Sequence, residues 1–177
     1  LFLRPQHFQR QDAYHEGRLA EAMSILHPYA WGCRRIAVDT DALSSGVLRL
    51  EQVQVVLPDG DLFSAPRDDL LPAPLSLQQI EPEVAELVVH LAVAPLRTHG
   101  GNMNDSAETP DLGVRYQSVS EEAEDWFTHA AEGEVVSMQK SCRLVTDREP
   151  MDHLVTVPLC RLRRNSTTGF ELDSRFV

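Results

Sequence analysis

The chain has 177 residues, with 16 lysines and arginines against 27 aspartates and glutamates, a net charge of −11 at pH 7. That length suits one domain with its own hydrophobic core, and that charge repels phosphate backbones, which argues against a nucleic-acid partner. The three cysteines, Cys33, Cys142 and Cys160, are odd in number and widely spaced, which argues against a disulfide framework or a zinc site and fits a reducing compartment.

No apolar run reaches the roughly 20 residues of a membrane span, so no direct membrane insertion is expected. Leu1–Leu3 is too short for a signal-peptide core. A chain that starts on Leu reads as a fragment or a processed form. The apolar lead Leu1, Phe2, Leu3 meets Arg4-Pro5. Residues before a proline avoid helical geometry, whereas proline suits the first helical turn, so a helix should start at Pro5. Its apolar positions fall at Phe8, His15, Leu19, Ala22, Met23 and Leu26, a narrow helical face broken by Asp12. Pro28 should end it, giving an amphipathic helix over about 5–26.

From Ile36 the chain reads as short strands. Ile36 and Val38 alternate with charged or small residues. Leu48 and Leu50 share one phase and Val53, Val55 and Leu57 the other, so a bulge or bend is expected near Glu51-Gln52. Pro58-Asp59-Gly60-Asp61 is a turn signal, predicting a hairpin between Val53–Leu57 and Leu62–Phe63. Four prolines in 66–83 exclude a central strand and suggest an edge crossing with one turn of helix. Leu87–Ala94 is apolar on both faces, as a central strand should be.

Residues 97–113, rich in Gly, Asn, Asp, Ser and Pro, read as a loop. Val114–Val119 is a strand candidate. Glu121, Glu122, Glu124 and Asp125, with Trp126 and Phe127, form an acidic and aromatic segment. Val135–Val145, Leu154–Leu162 and Phe170–Phe176 complete the strand series. One helix followed by short strands, without strand–helix–strand alternation, predicts a mainly β fold: an antiparallel β-sandwich with one N-terminal amphipathic α-helix.

Seven histidines invite a metal reading. His7 and His15 lie about two helical turns apart, too far for one ion, and no HxH or HExxH spacing occurs. Asn102, Asn104, Asp105 and Asp111 lack the glycine and closing glutamate of an EF-hand in the right places. No GxSxG elbow and no GK[ST] after Gly100-Gly101 are present. The sequence therefore points to no catalytic residue, no metal and no cofactor, and to surface as the working feature. Aromatic anchors are Tyr29, Trp31, Tyr116, Trp126, Phe127 and Phe176. The interface candidates are Leu1, Phe2, Leu3, Arg4, Phe8, Tyr14, Leu19, Met23 and Trp31. The break at Asp12 weakens a coiled-coil seam and favours a helix laid across a sheet, with Leu1–Leu3 and Phe8 facing other chains.

LFLRPQHFQRQDAYHE at the start, HPYAWG at 27–32, LPDG at 57–60 with Phe63, Ala65 and Pro66, VPLCRL at 157–162 and GFELDSRF at 169–176 occur in the order seen in the TssK family, the VasE/ImpJ-type baseplate subunits of the bacterial type VI secretion system. The chain resembles the N-terminal shoulder domain of that family. The resemblance implies a single β-sandwich domain over 1–177 similar to the shoulder of phage receptor-binding proteins, with the helical neck and C-terminal head outside it. It further implies a homotrimer in the full-length protein, attachment to the wedge proteins TssF and TssG, and docking of the head on the membrane-complex proteins TssM and TssL. The expected location is cytoplasmic, at the inner membrane. Residues 97–152 carry little of the pattern. The alternative reading is a phage-tail-like module that binds a receptor or carbohydrate, motivated by the 97–113 loop.

Overall fold

A computed structural model describes residues 2–104, 113–124, 132–165 and 169–176. Helix α1 spans Pro5–Leu26, the bounds the two prolines predict. Arg4 is extended (φ −120°), and its N–H donates to His7 Nδ1 at 3.0 Å. At the far end the His27 N–H donates to Met23 O at 2.8 Å, and Pro28 stops the pattern.

Strand β1 (Gly32–Val38) is followed by the five-residue helix α2 (Thr40–Ser44), which the sequence reading did not anticipate. Asp39 caps it, its carboxylate accepting from the Asp41 and Ala42 N–H groups at 3.0 and 2.9 Å and from Arg49. Strands β2 (Val47–Leu48) and β3 (Leu50–Val56) follow. Ala37 opposes Gln52 but Val38 opposes Leu50, so Glu51 is the extra residue of a bulge where the apolar phase slips. Leu48, Leu50, Val53, Val55 and Leu57 are all buried as a result. Strand β4 (Leu62–Ala65) closes the expected hairpin. Gly60 turns it at φ +86°, a conformation that side chains with a Cβ disfavour.

In 66–83 the chain crosses through β-turns and strand β5 (Leu75–Ser76), which pairs with β2. The helical turn expected there is not formed. The N–H groups of Asp68 and Asp69 both donate to Ser64 O, and the Asp69 carboxylate takes the Ser64 N–H at 3.0 Å, tying the segment back to β4 instead.

Strand β6 (Glu86–Val93) is interior to its sheet, as its two apolar faces predict. In the expected loop, Arg97 and Asn102 close a ring: Arg97 N–H to Asn102 Oδ1 at 2.7 Å, and Asn102 Nδ2 to Arg97 O at 2.8 Å. Strand β7 (Met103–Asn104) then runs parallel to β8 (Tyr116–Glu124), a parallel pair in an otherwise antiparallel set. β8 starts later than expected and continues through Glu121, Glu122 and Glu124. Asp125, Trp126, Phe127 and residues 105–112 lie outside the described residues.

The single strand expected over 135–145 is two strands in different sheets. β9 (Glu132–Lys140) pairs with β8, and β10 (Cys142–Thr146) pairs with β6. The chain switches sheets at buried Ser141, whose N–H donates to Arg115 O at 2.9 Å. Strand β11 (Val155–Asn165) pairs with β6 and β12 (Gly169–Leu172). The last strand ends sooner than predicted because Asp173 turns inward. Its carboxylate meets Arg163 at 3.1 Å, Arg175 at 3.3 Å and Arg161 at 3.9 Å.

The sheet β1-β3-β4 and the sheet β10-β6-β11-β12 share one core. Val53, Val55, Phe63 and Ala65 come from the first. Leu87, Val89, Leu91, Val93, Leu144, Val157 and Leu162 come from the second. This is the expected mainly β sandwich with an N-terminal helix. The expectation of a helix laid across a sheet is corrected, because α1 contributes no buried residue. Two sheets already cover each other's apolar faces, so none is left to receive the helix.

Candidate assembly surface

Of the nine predicted interface residues, Leu1 lies outside the described residues. Phe2, Leu3, Arg4, Phe8, Tyr14, Leu19, Met23 and Trp31 are all exposed. Phe2 is 94% exposed and Met23, the least open of the apolar ones, 44%. They do not converge on a pocket. On α1, Phe8, Leu19, Met23 and Leu26 make a narrow apolar strip, with Tyr14 and Ile25 exposed about 100–120° around the helix from it and Tyr29 and Trp31 exposed just beyond the helix. Single exposed apolar residues are ordinary, whereas several on one helix leave more apolar surface in water than scattered exposure does.

The helix meets the body of the domain on a different face. Ala20 is its one partly buried residue, and it sits over the β3–β4 turn. A methyl group added to Gly60 would lie 2.7 Å from Ala20 Cβ. Ala20 is about 100° around the helix from Leu19, so this contact leaves the apolar strip open. One turn back, Glu16 approaches Tyr116: burial, then the Asp61 carboxylate, push the Tyr116 hydroxyl pKa up, and Glu16 adds to that shift.

Under the turn lies a charged cluster that sequence reasoning missed. Arg115 is 1% exposed. It meets Asp59 and Asp61 at 2.8 Å each and donates to Ala94 O at 3.1 Å. Lys140 Nζ adds Asp61 at 3.4 Å and Asp69 at 3.8 Å, and the Lys140 N–H donates to Asp69 Oδ1 at 3.0 Å. Five side chains thus tie the β3–β4 turn, the 66–69 turn and the base of the β8–β9 ribbon into one platform. A guanidinium can be buried because its planar fork finds several acceptors at once. The only sequence hint is the pair of aspartates flanking Gly60. Their partner is 54 residues away from Asp61 in the chain.

Neither the strip nor the platform converges on a bond-making centre. Among the described residues no group of three or more His, Cys, Asp or Glu is placed to hold a metal ion. No described helix is long and apolar enough to cross a membrane. The fold defines a β-sandwich module with an exposed N-terminal helix.

The chain belongs to the bacterial type VI secretion family that includes EvfL, ImpJ and VasE, whose profile matches residues 7–177. It is 31% identical over 181 residues to the type VI secretion system baseplate component TssK1 of Pseudomonas aeruginosa, covering 100% of this chain and 39% of that relative. It also matches a chain in the cryo-electron-microscopy structure of the type VI secretion system TssK-TssF-TssG baseplate subcomplex. That match has a TM-score of 0.90 and 25% identity over 100% of this chain and 58% of that one. A crystal structure of TssK shares the fold at a TM-score of 0.79, with 23% identity over 98% of this chain and 39% of that one.

Proposed function

We propose that this chain is the shoulder of a type VI baseplate subunit, a single β-sandwich domain over 1–177, with neck and head outside it. It works by shape and apolar contact, without catalysis. The observation that carries this reading is the likeness, along its whole length, to a chain in an assembly of TssK with TssF and TssG. The exposed apolar strip of α1 supports it, since such a strip has little purpose on a chain that works alone. On this reading the partners are wedge proteins of the TssF and TssG kind. The full-length protein is a homotrimer, its head meets the membrane-complex proteins TssM and TssL, and it sits at the cytoplasmic face of the inner membrane. Phe2, Leu3, Arg4, Phe8, Tyr14, Leu19, Met23 and Trp31 are the contact residues, with Leu1 leading into them.

Co-purification tests it. The full-length protein should retain TssF and TssG, and charge placed on the α1 strip should release them. A folded protein that never captures the wedge, in either the 177-residue or the full-length form, sinks the reading.

A further inference from the structure

We infer that the β8–β9 ribbon is an arm that docks on the β1 end of a second copy of this chain, around Arg34 and Arg35. This rests on the self-association proposed above and assigns surfaces to it.

Beyond Ser118 the ribbon pairs with no third strand among the described residues. Its strands are nine residues long, about 30 Å at the usual rise. A bare two-stranded ribbon is marginal in water and gains from a partner. On one face Met138 lies opposite Ser118, Val136 opposite Ser120 and Glu134 opposite Glu122. Val136 and Met138 are each 63% exposed. The two glutamates are like charges directly opposed, which weakens the ribbon on its own. No lysine or arginine occurs between Arg115 and Lys140 to neutralise them. The arm therefore offers an apolar patch with an acidic end, and it fits a surface where exposed arginines adjoin apolar rings.

The chain carries such a surface itself. Arg34 and Arg35 are exposed on β1, an edge strand. Arg34 is the extra residue of a bulge, since Cys33 opposes Val55 and Arg35 opposes Gln54. Neither arginine has an ion-pair partner among the described residues; Arg4, Arg10 and Arg148 also lack one, but Arg34 and Arg35 stand side by side on an exposed strand edge. Trp31 and Tyr29 stand exposed beside them. Among the described residues no ion pair joins arm and patch within one copy. Two complementary surfaces at different places on one chain make a head-to-tail contact, which closes into a ring when the rotation allows. That both halves lie on this chain favours a second copy as the occupant.

The test uses light scattering on the 177-residue chain and on the full-length protein that carries it, with circular dichroism to establish folding. Glu122→Lys with Glu134→Lys, and separately Arg34→Glu with Arg35→Glu, should each weaken self-association about tenfold or more. The chain with all four changes should regain it. Unchanged association in either double variant, or no recovery in the combined one, overturns the surface assignment and leaves self-association standing; occupation of the arm by another protein would give the first of these results. A parent that stays monomeric in both forms overturns self-association and this contact together.

Discussion

Ala20 and Gly60 meet without room for another carbon: a methyl group on Gly60 would stand 2.7 Å from Ala20 Cβ. This seam joins a helix to a turn that is itself pinned by Arg115. Gly60→Ala should cost about 2 kcal/mol, from the positive φ and from the clash. Adding Ala20→Gly should relieve the clash but not the backbone strain, so the pair is less destabilised than the sum of the two. Urea unfolding of the four proteins measures the difference. Strict additivity would mean that the helix does not rest on the turn.

Leu19 lies on the open strip, 67% exposed. Leu19→Asp should leave the unfolding free energy within about 0.5 kcal/mol of the parent while weakening assembly. Denaturation and co-purification with the wedge proteins, run on the same variant, separate the two effects. A large loss of stability would put the strip back in the core.

Arg115→Met should cost about 3 kcal/mol, because it leaves Asp59, Asp61 and Ala94 O facing an apolar side chain. Arg115→Lys should recover only part of that, since an ammonium cannot reach two carboxylates and a carbonyl as a planar fork does. Thermal and urea unfolding check both. The variant should also loosen the base of the ribbon, seen as faster amide exchange at Tyr116 and Ser141.

Legibility followed the range of the interactions. Pro5 and Pro28 bracket α1 through local sterics, and the phase slip around Glu51 announces its bulge, so both were readable. The open face of α1 was not, because an apolar stripe looks the same whether a sheet or another chain covers it. The acidic run at 121–124 gave no strand signal, because charge masks pairing with residues that follow later. The break at Ser141 left no mark, since alternation continues while the chain changes partners. Arg115 gave no signal, because what buries it comes from the 59–61 turn and from Ala94.

Burial, and then the Asp69 carboxylate, push the Cys142 thiol up to about 12. Burial, and then nearby Cys33, do the same for Cys160. At pH 8 each is about one part in 10,000 thiolate. Iodoacetamide at pH 8 should therefore modify exposed Cys33 first, with the other two reacting only in urea. Mass spectrometry of the labelled protein decides. Prompt native labelling of Cys160 would mean that the β11 face opens readily.

The placement of the Ala20 seam makes α1 a lever. From Ala20 back to Pro5 the helix runs about 22 Å, with the fulcrum near its C-terminal end. A tilt of about 10° there sweeps the Phe2–Phe8 end through about 4 Å, roughly the width of a side chain. A small adjustment at one alanine is thus magnified at the exposed Phe2–Phe8 end.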